Sequence, residues 1–318
     1  MYVIQNFTSQ TKPINYFDQL IWLIGLKHYK ALGYKTKLYC EEKDIQFLKD
    51  CYLYYYYDEI DTETFAKNYS WLDNINQEYF WFFRKIIAIE HEIELETNFF
   101  YSDTDIILNK KPDFSDCDIY TWCLENHDNK LGKSVYIDWK ELSLPPEYTL
   151  PDYLTKTTDK NYNCGLLYFK NKNIFYYWKK EMLNFATNNP CIIFNKNYIY
   201  TSHIFACTCE QRILTGIIKD KNLIVKTFDT NEISNGLIDE GGHFFSFRYN
   251  MKNKIKSFNL DNYLKNWQTF LIYKYFIQFF MNELLETNSI NEYLYFANKK
   301  DIHDLLELDD LYNRLLLW

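Results

Sequence analysis

The spacing of apolar positions changes period several times along the chain. The opening run YVIQNF, Tyr2 to Phe7, predicts a short strand. In NYFDQLIWLIGLKHYKALG, Leu20, Leu23, Ile24 and Ala31 fall at helical spacing and the pattern stops at Gly33, which predicts a helix with a glycine C-cap. YKTKLYC then alternates as a strand does, EKDIQFLKDC returns to the helical period, and LYYYYDEID predicts a short strand running into a loop. Strand, helix, strand, helix, strand is the βαβ progression of a mostly parallel sheet.

A further helix is expected from Gln77 to Glu92, delivering the chain into NFFYSDTDIIL, which has the continuous apolar character of a strand inside an α/β sheet. Strands are expected in DIYTWCLE, SVYIDW, YNCGLLYFKN and NLIVKTFD. Helices are expected in IFYYWKKEMLNFA and over 201–218, with a proline-containing loop from Leu144 to Asp152 and a loop-to-strand element in GGHFFSFRYN. From Asn259 onward only helical patterns appear, so the expected organisation is an α/β domain over 1–258 and a C-terminal helical extension over 259–318. Between Leu271 and Leu285, Lys274, Gln278 and Asn282 form one polar stripe beside a wide apolar surface. That surface is expected to pack on the main domain, with a homodimer contact or peripheral membrane attachment as alternatives.

Composition narrows the class. Hydrophobic residues make up 47% of the chain and charged residues 25%, and the net charge of −8 argues against a general nucleic-acid binder. One local nucleotide pocket remains compatible with that charge. With 30 tyrosines and only 8 glycines, single tyrosines read as core and surface filler while each glycine is informative. The 8 cysteines include one close pair, Cys207 and Cys209, and no C-x-x-C, so they read as reduced, buried thiols of a reducing compartment. Neither a leader-like start nor a membrane-spanning apolar run is visible, and a cytoplasmic protein is the expectation.

The chemistry concentrates at Asp103 and Asp105, at the end of a strand that otherwise reads as buried. On a strand, residues i and i+2 point to one side, so both carboxylates would share a small volume. Without compensation one of them would take up a proton. A divalent cation, Mn²⁺ or Mg²⁺, suits such hard oxygen donors and is commonly completed by phosphate oxygens, which points to a metal–diphosphate site. The second D-x-D, Asp116 and Asp118, is expected to be a pair of surface carboxylates.

FFYSDTDIIL resembles the D-x-D strand of the nucleotide-sugar glycosyltransferases of the GT-A fold. The order of motifs around it is similar too: a basic pair on the preceding helix (Arg84, Lys85), an Asn-small-Gly turn (Asn163, Cys164, Gly165), an acidic-Gln element (Glu210, Gln211) and a late histidine (His243). The likeness spans roughly residues 1 to 250. The chain differs from the glycogenin-like members in carrying Glu210 and Arg212 on either side of Gln211 where they have aspartates, and in lacking the Lys-Pro-Trp that follows their late histidine.

The resemblance implies a GT-A, Rossmann-like sheet and a sugar transfer from a nucleotide diphosphate donor, UDP-linked by preference, to a glycan or other acceptor, with a lean toward retention. It implies Asp103, Asp105 and His243 as metal ligands. Gln5 and Asn6 would lie against base and ribose, and Ser102 and Thr104 beside the donor. Arg84 or Lys85 would face the phosphates or donor sugar, only one of them because neighbours on a helix diverge by about 100°. Cys164 and Gly165 would line the sugar pocket, and Asn163, Glu210 and Gln211 would contact the reacting sugars. Alternatives are a catalytically silent scaffold or glycan-binding relative, and a nucleotidyltransferase, which QNFTSQTKPINY disfavours by lacking glycine.

Overall fold

The computed structural model describes residues 1–8, 16–72, 80–126, 149, 151–152, 160–188, 207–229, 241–243, 277 and 280–299. The expected strand at 134–139, most of the 144–152 loop, the boundary near 258 and the helix expected over 300–318 lie outside the described residues.

β1 (Tyr2–Asn6) pairs in parallel with β2 (Lys35–Tyr39) on one side and with β4 (Phe99–Ser102) on the other. β3 (Glu59–Asp61) extends the parallel ladder beyond β2. Past β4 the pairing turns antiparallel through β8 (Leu166–Phe169), β6 (Ile119–Asn126) and β7 (Lys160–Tyr162), while β9 (Val225–Asp229) lies parallel to β6. The sheet order is β3-β2-β1-β4-β8-β6-β7, with β9 beside β6. A second, two-stranded sheet joins β5 (Ile106–Leu108) to β10 (Gly241–His243). The outcome is a mixed α/β fold with a mostly parallel central sheet.

Successive strand residues feed opposite cores, as a pleated sheet requires. Val3, Phe100, Tyr120 and Leu166 join the core beneath α1 (Tyr16–Ala31), whereas Ile4, Tyr101, Ile119 and Leu167 join the core beneath α3 (Phe80–Glu94), α4 (Lys172–Asn188) and α5 (Ile213–Asp220). Both sheet faces are covered by helices, which explains why the strands read as unbroken apolar runs.

Two local outcomes differ from the sequence pattern. The stretch LYYYYDEID is not one strand: Leu53–Tyr56 is a 3₁₀ turn entered through Tyr52 in the left-handed region (φ 65°), and pairing begins only at Glu59. One tight turn buries Leu53 and Tyr57 and leaves Tyr55 out, which a run of four tyrosines without alternation permits. The helix expected over 201–218 is described from Cys207, and it begins with a π-helical turn, Thr208–Arg212, before α5.

The described residues of the C-terminal segment pack on the α1 side of the sheet. Ile277, Phe280, Met281, Leu284 and Phe296 are buried in the α1-side core. The helical residues 280–286 are followed by a short helix, Ile290–Ala297, where the sequence pattern shows no distinct element. Lys27 donates to Ser289 Oγ at 2.6 Å, Tyr56 to Glu292 Oε1 at 2.9 Å and Tyr295 to Gln19 Oε1 at 3.0 Å, tying this segment to α1 and its surroundings. Among the described residues no helix is long and apolar enough to cross a membrane.

Candidate active site

The strand order reverses between β1 and β4, since β2 continues from β1 on one side and β4 on the other. Crevices outside the carboxyl ends of strands at such a reversal are where open α/β sheets bind ligands. Asn6 ends β1 there, and Asp103 follows directly on β4.

The two aspartates do not lie on the strand, contrary to the expectation from alternation. β4 stops at Ser102, Asp103 to Asp105 form a turn, and Ile106 N returns to Asp103 O at 3.4 Å before β5 begins. The physical reason is the loss of the ladder partner. Asp103 N makes a last bond to Gly165 O at 2.6 Å, and its carbonyl then accepts from the Gln5 side chain (Nε2 at 3.2 Å) rather than from another strand. Asp105 remains in the same turn, close enough for its charge to act on the Tyr29 and Tyr101 hydroxyls.

The turn is gripped from below by buried side chains. Gln5 Oε1 accepts from Tyr57 Oη at 2.6 Å and Trp22 Nε1 at 3.1 Å while Gln5 Nε2 holds Asp103 O. Tyr29 donates to Ile106 O at 2.8 Å and lies 2.7 Å from Ser102 Oγ. Gln5 is 1% exposed and Ser102 0%, and both side chains hold the turn from inside the protein. Asn6, Thr104 and Asp105 are half-buried at the rim.

The basic pair on α3 divides as helical geometry requires. Arg84 turns to Glu41, past the end of β2, and lies over the Phe65 ring; Lys85 turns to the aspartates. The Lys85 ammonium has three protons and meets three oxygens: Cys164 O at 3.0 Å, Asp103 Oδ1 at 3.1 Å and Glu210 Oε1. Burial favours the neutral amine, but Asp103 and Glu210 outweigh it and raise the Lys85 pKa above the ordinary lysine value. Lys85 also lies 4.7 Å from the centre of the Tyr101 ring.

Glu210 sits in the π-helical turn, where its carbonyl accepts from Trp178 Nε1 at 3.2 Å and its carboxylate is buried against Lys85. Such turns recur at functional sites because the extra residue per turn redirects side chains. Gln211 follows, half-buried, with its carbonyl accepting from Thr215 Oγ1 at 2.8 Å. Asn163 is buried and shapes its own turn: Oδ1 accepts from Gly165 N at 2.8 Å and Nδ2 donates to Glu125 Oε1 at 2.8 Å. Cys164 is buried and Gly165 is bonded to the aspartate turn. The backbone of His243 lies opposite Ile106 in the small sheet, beside the residue that follows Asp105.

Motifs far apart in sequence therefore meet at one place. Lys85, Asp103, the Asn163–Gly165 turn and Glu210 are in direct contact, and His243 is next to them in backbone register. Three buried donors have no partner among the described residues: Arg84 Nη1 and Thr8 Oγ1, beyond the ends of neighbouring strands, and Thr121 Oγ1, within β6. The second D-x-D is elsewhere and structural, with Asp116 exposed and Asp118 Oδ2 accepting from Ile224 N at 2.8 Å.

For a divalent cation the donor chemistry fits. Among the described residues both contacts to the Asp103 carboxylate fall on Oδ1, which leaves Oδ2 for a further ligand, and Asp105 supplies hard oxygens from the same turn. Among the described residues no three His, Cys, Asp or Glu side chains form a ready cage, so a cation here would draw the rest of its ligands from outside that set. Comparison of the chain with protein-family models, with curated proteins and with solved structures found no match.

Proposed function

We propose that this chain is a metal-dependent glycosyltransferase of the GT-A type, moving a sugar from a nucleotide diphosphate donor, UDP-linked by preference, to a glycan or similar acceptor. The observation that carries the reading is the meeting of Lys85, Asp103, the Asn163–Gly165 turn and Glu210 outside the carboxyl ends of β1 and β4.

Asp103 and Asp105 would hold Mn²⁺ or Mg²⁺, with His243 as a third ligand. The cation would supply positive charge to the leaving diphosphate. Lys85 directs its protons to Cys164 O, Asp103 and Glu210 inside the protein, so its part is to position these two carboxylates. Arg84 Nη1 and Thr8 Oγ1 are the uncommitted donors for the nucleotide half. The turn at Gly165 and the side of Glu210 away from Lys85 would face the sugar. A retaining outcome is the corresponding lean.

A second reading, a catalytically silent relative that binds a nucleotide or glycan without metal, is favoured by one feature. Lys85 already gives Asp103 part of the counter-charge that a cation would bring. A thermal-shift panel of nucleotide sugars differing in base and sugar, run with and without Mn²⁺, tests the choice. Stabilisation by one donor only with Mn²⁺ supports the transferase, equal stabilisation without Mn²⁺ supports the silent relative, and none with any donor counts against both.

A further inference from the structure

Tyr101 touches this site although no motif singles it out. It is the third residue of β4, two residues before Asp103, and 3% exposed. Its hydroxyl lies 2.7 Å from Asn6 Oδ1, at the end of β1, and 2.9 Å from Asp103 Oδ1. The hydroxyl thus spans the crevice between the two strands at which the sheet order reverses. Its ring forms one wall of the Lys85 ammonium site.

We infer that Tyr101 is a positioning residue for cation binding: with Lys85 it occupies Asp103 Oδ1 and so presents Oδ2 as the single oxygen for a metal. This rests on the metal-dependent reading above. The argument is one of valence. A carboxylate free to rotate offers either oxygen, or both, to a cation. Here Oδ1 faces an ammonium and a hydroxyl whose one proton is shared between Oδ1 and Asn6 Oδ1, which fixes the plane of the group and lowers the competence of that oxygen as a ligand. Hydrogen-bond partners of a metal-binding carboxylate typically set metal affinity by about 10- to 100-fold.

The test is Mn²⁺ alone titrated into the full chain and followed by electron paramagnetic resonance of free Mn²⁺, for wild type, Tyr101→Phe and Asp105→Ala. Tyr101→Phe keeps the ring over Lys85 and removes only the hydroxyl. The expected result is Mn²⁺ binding by wild type, at least about 10-fold weaker binding by Tyr101→Phe, and unchanged Tm of the variant without metal. Tyr101→Phe binding Mn²⁺ like wild type would overturn the inference and leave the metal site standing. If the variant loses Tm along with affinity, Asn6→Ala provides the second arm. It removes the acceptor that competes for the hydroxyl proton and leaves that proton to Asp103 alone, so Mn²⁺ binding at least as tight as wild type is expected and weaker binding overturns the role. No Mn²⁺ binding by wild type would refute the metal reading itself, and the inference with it.

Discussion

Lys85, on α3, holds its ammonium 3.1 Å from Asp103 Oδ1 and in contact with Glu210 Oε1, joining three segments of the chain through one buried charge. Lys85 is 6% exposed and Glu210 8%, so little water screens the cluster. Removing one member of a buried ion pair leaves an uncompensated charge and costs about 3–5 kcal/mol.

Lys85→Met is therefore expected to destabilise the fold by about that amount in urea or thermal unfolding. Because the Lys85 pKa is raised in the fold, its contribution is complete below the ordinary lysine value and fades only as pH rises through the raised one. The wild type should show no Lys85-linked loss across the neutral range. The deficit should hold across the neutral range, and a variant as stable as wild type would argue against the cluster.

Gly25 lies where α1 crosses β5: a Cβ built there would sit 2.8 Å from the Ile106 carbonyl oxygen, a backbone atom that cannot yield cheaply. Gly25→Ala should cost about 1–3 kcal/mol through overpacking, against a gain of under about 1 kcal/mol in helix propensity. Denaturant titration decides the sign. Since Ile106 closes the aspartate turn, Gly25→Ala should also weaken any ligand bound there.

Gln5→Leu preserves size but strands the Tyr57 donor and releases Asp103 O, while Trp22 Nε1 keeps Tyr57 Oη at 2.7 Å. Each unsatisfied buried group costs about 1–3 kcal/mol, so a loss in that range is expected in chemical denaturation. A Gln5→Leu variant that keeps full stability but loses nucleotide affinity would instead place the side chain against the ligand.

His28 gives the described C-terminal segment a pH dependence. Its Nε2 lies 3.0 Å from Glu283 Oε1 and its Nδ1 3.2 Å from Leu108 O, so both ring nitrogens face acceptors and the imidazolium satisfies both. Burial works against the charge, but Glu283, Leu108 O and the Asn109 side chain outweigh it and raise the pKa, with Lys27, Lys30 and Glu286 around the same cavity. A raised pKa means stability present below the ordinary histidine value and lost as pH rises through the folded one. The wild type should exceed His28→Gln most at about pH 6 and least at about pH 8.5, read as the difference in Tm.

Much of this was legible in the sequence. The pattern of apolar positions predicts β1, β2, β4, β6, β8 and β9 and the helices α1, α3 and α4, and β4 reads as a continuous apolar run because it is covered on both faces. The D-x-D stood out because charge is costly after such a run. Three features were not legible. The turn at Asp103 depends on Gly165 O and on Gln5, more than fifty residues away in either direction. The π-helical turn that buries Glu210 has the same apolar spacing as an α-helix over so short a stretch. Tyr101 is hidden among 30 tyrosines, and only the position of Asp103 distinguishes it. That one of Arg84 and Lys85 faces the site follows from helical geometry, while which one does follows from Glu41 lying on the opposite side.

The central claim is tested most directly by calorimetric titration of nucleotide sugars into wild type and Asp105→Ala, each with Mn²⁺ and with EDTA. The account predicts that one donor binds wild type only when Mn²⁺ is present and that Asp105→Ala abolishes this binding without loss of folding. Binding that is equally tight in EDTA, or that survives Asp105→Ala, would contradict a metal-dependent site at the aspartate turn.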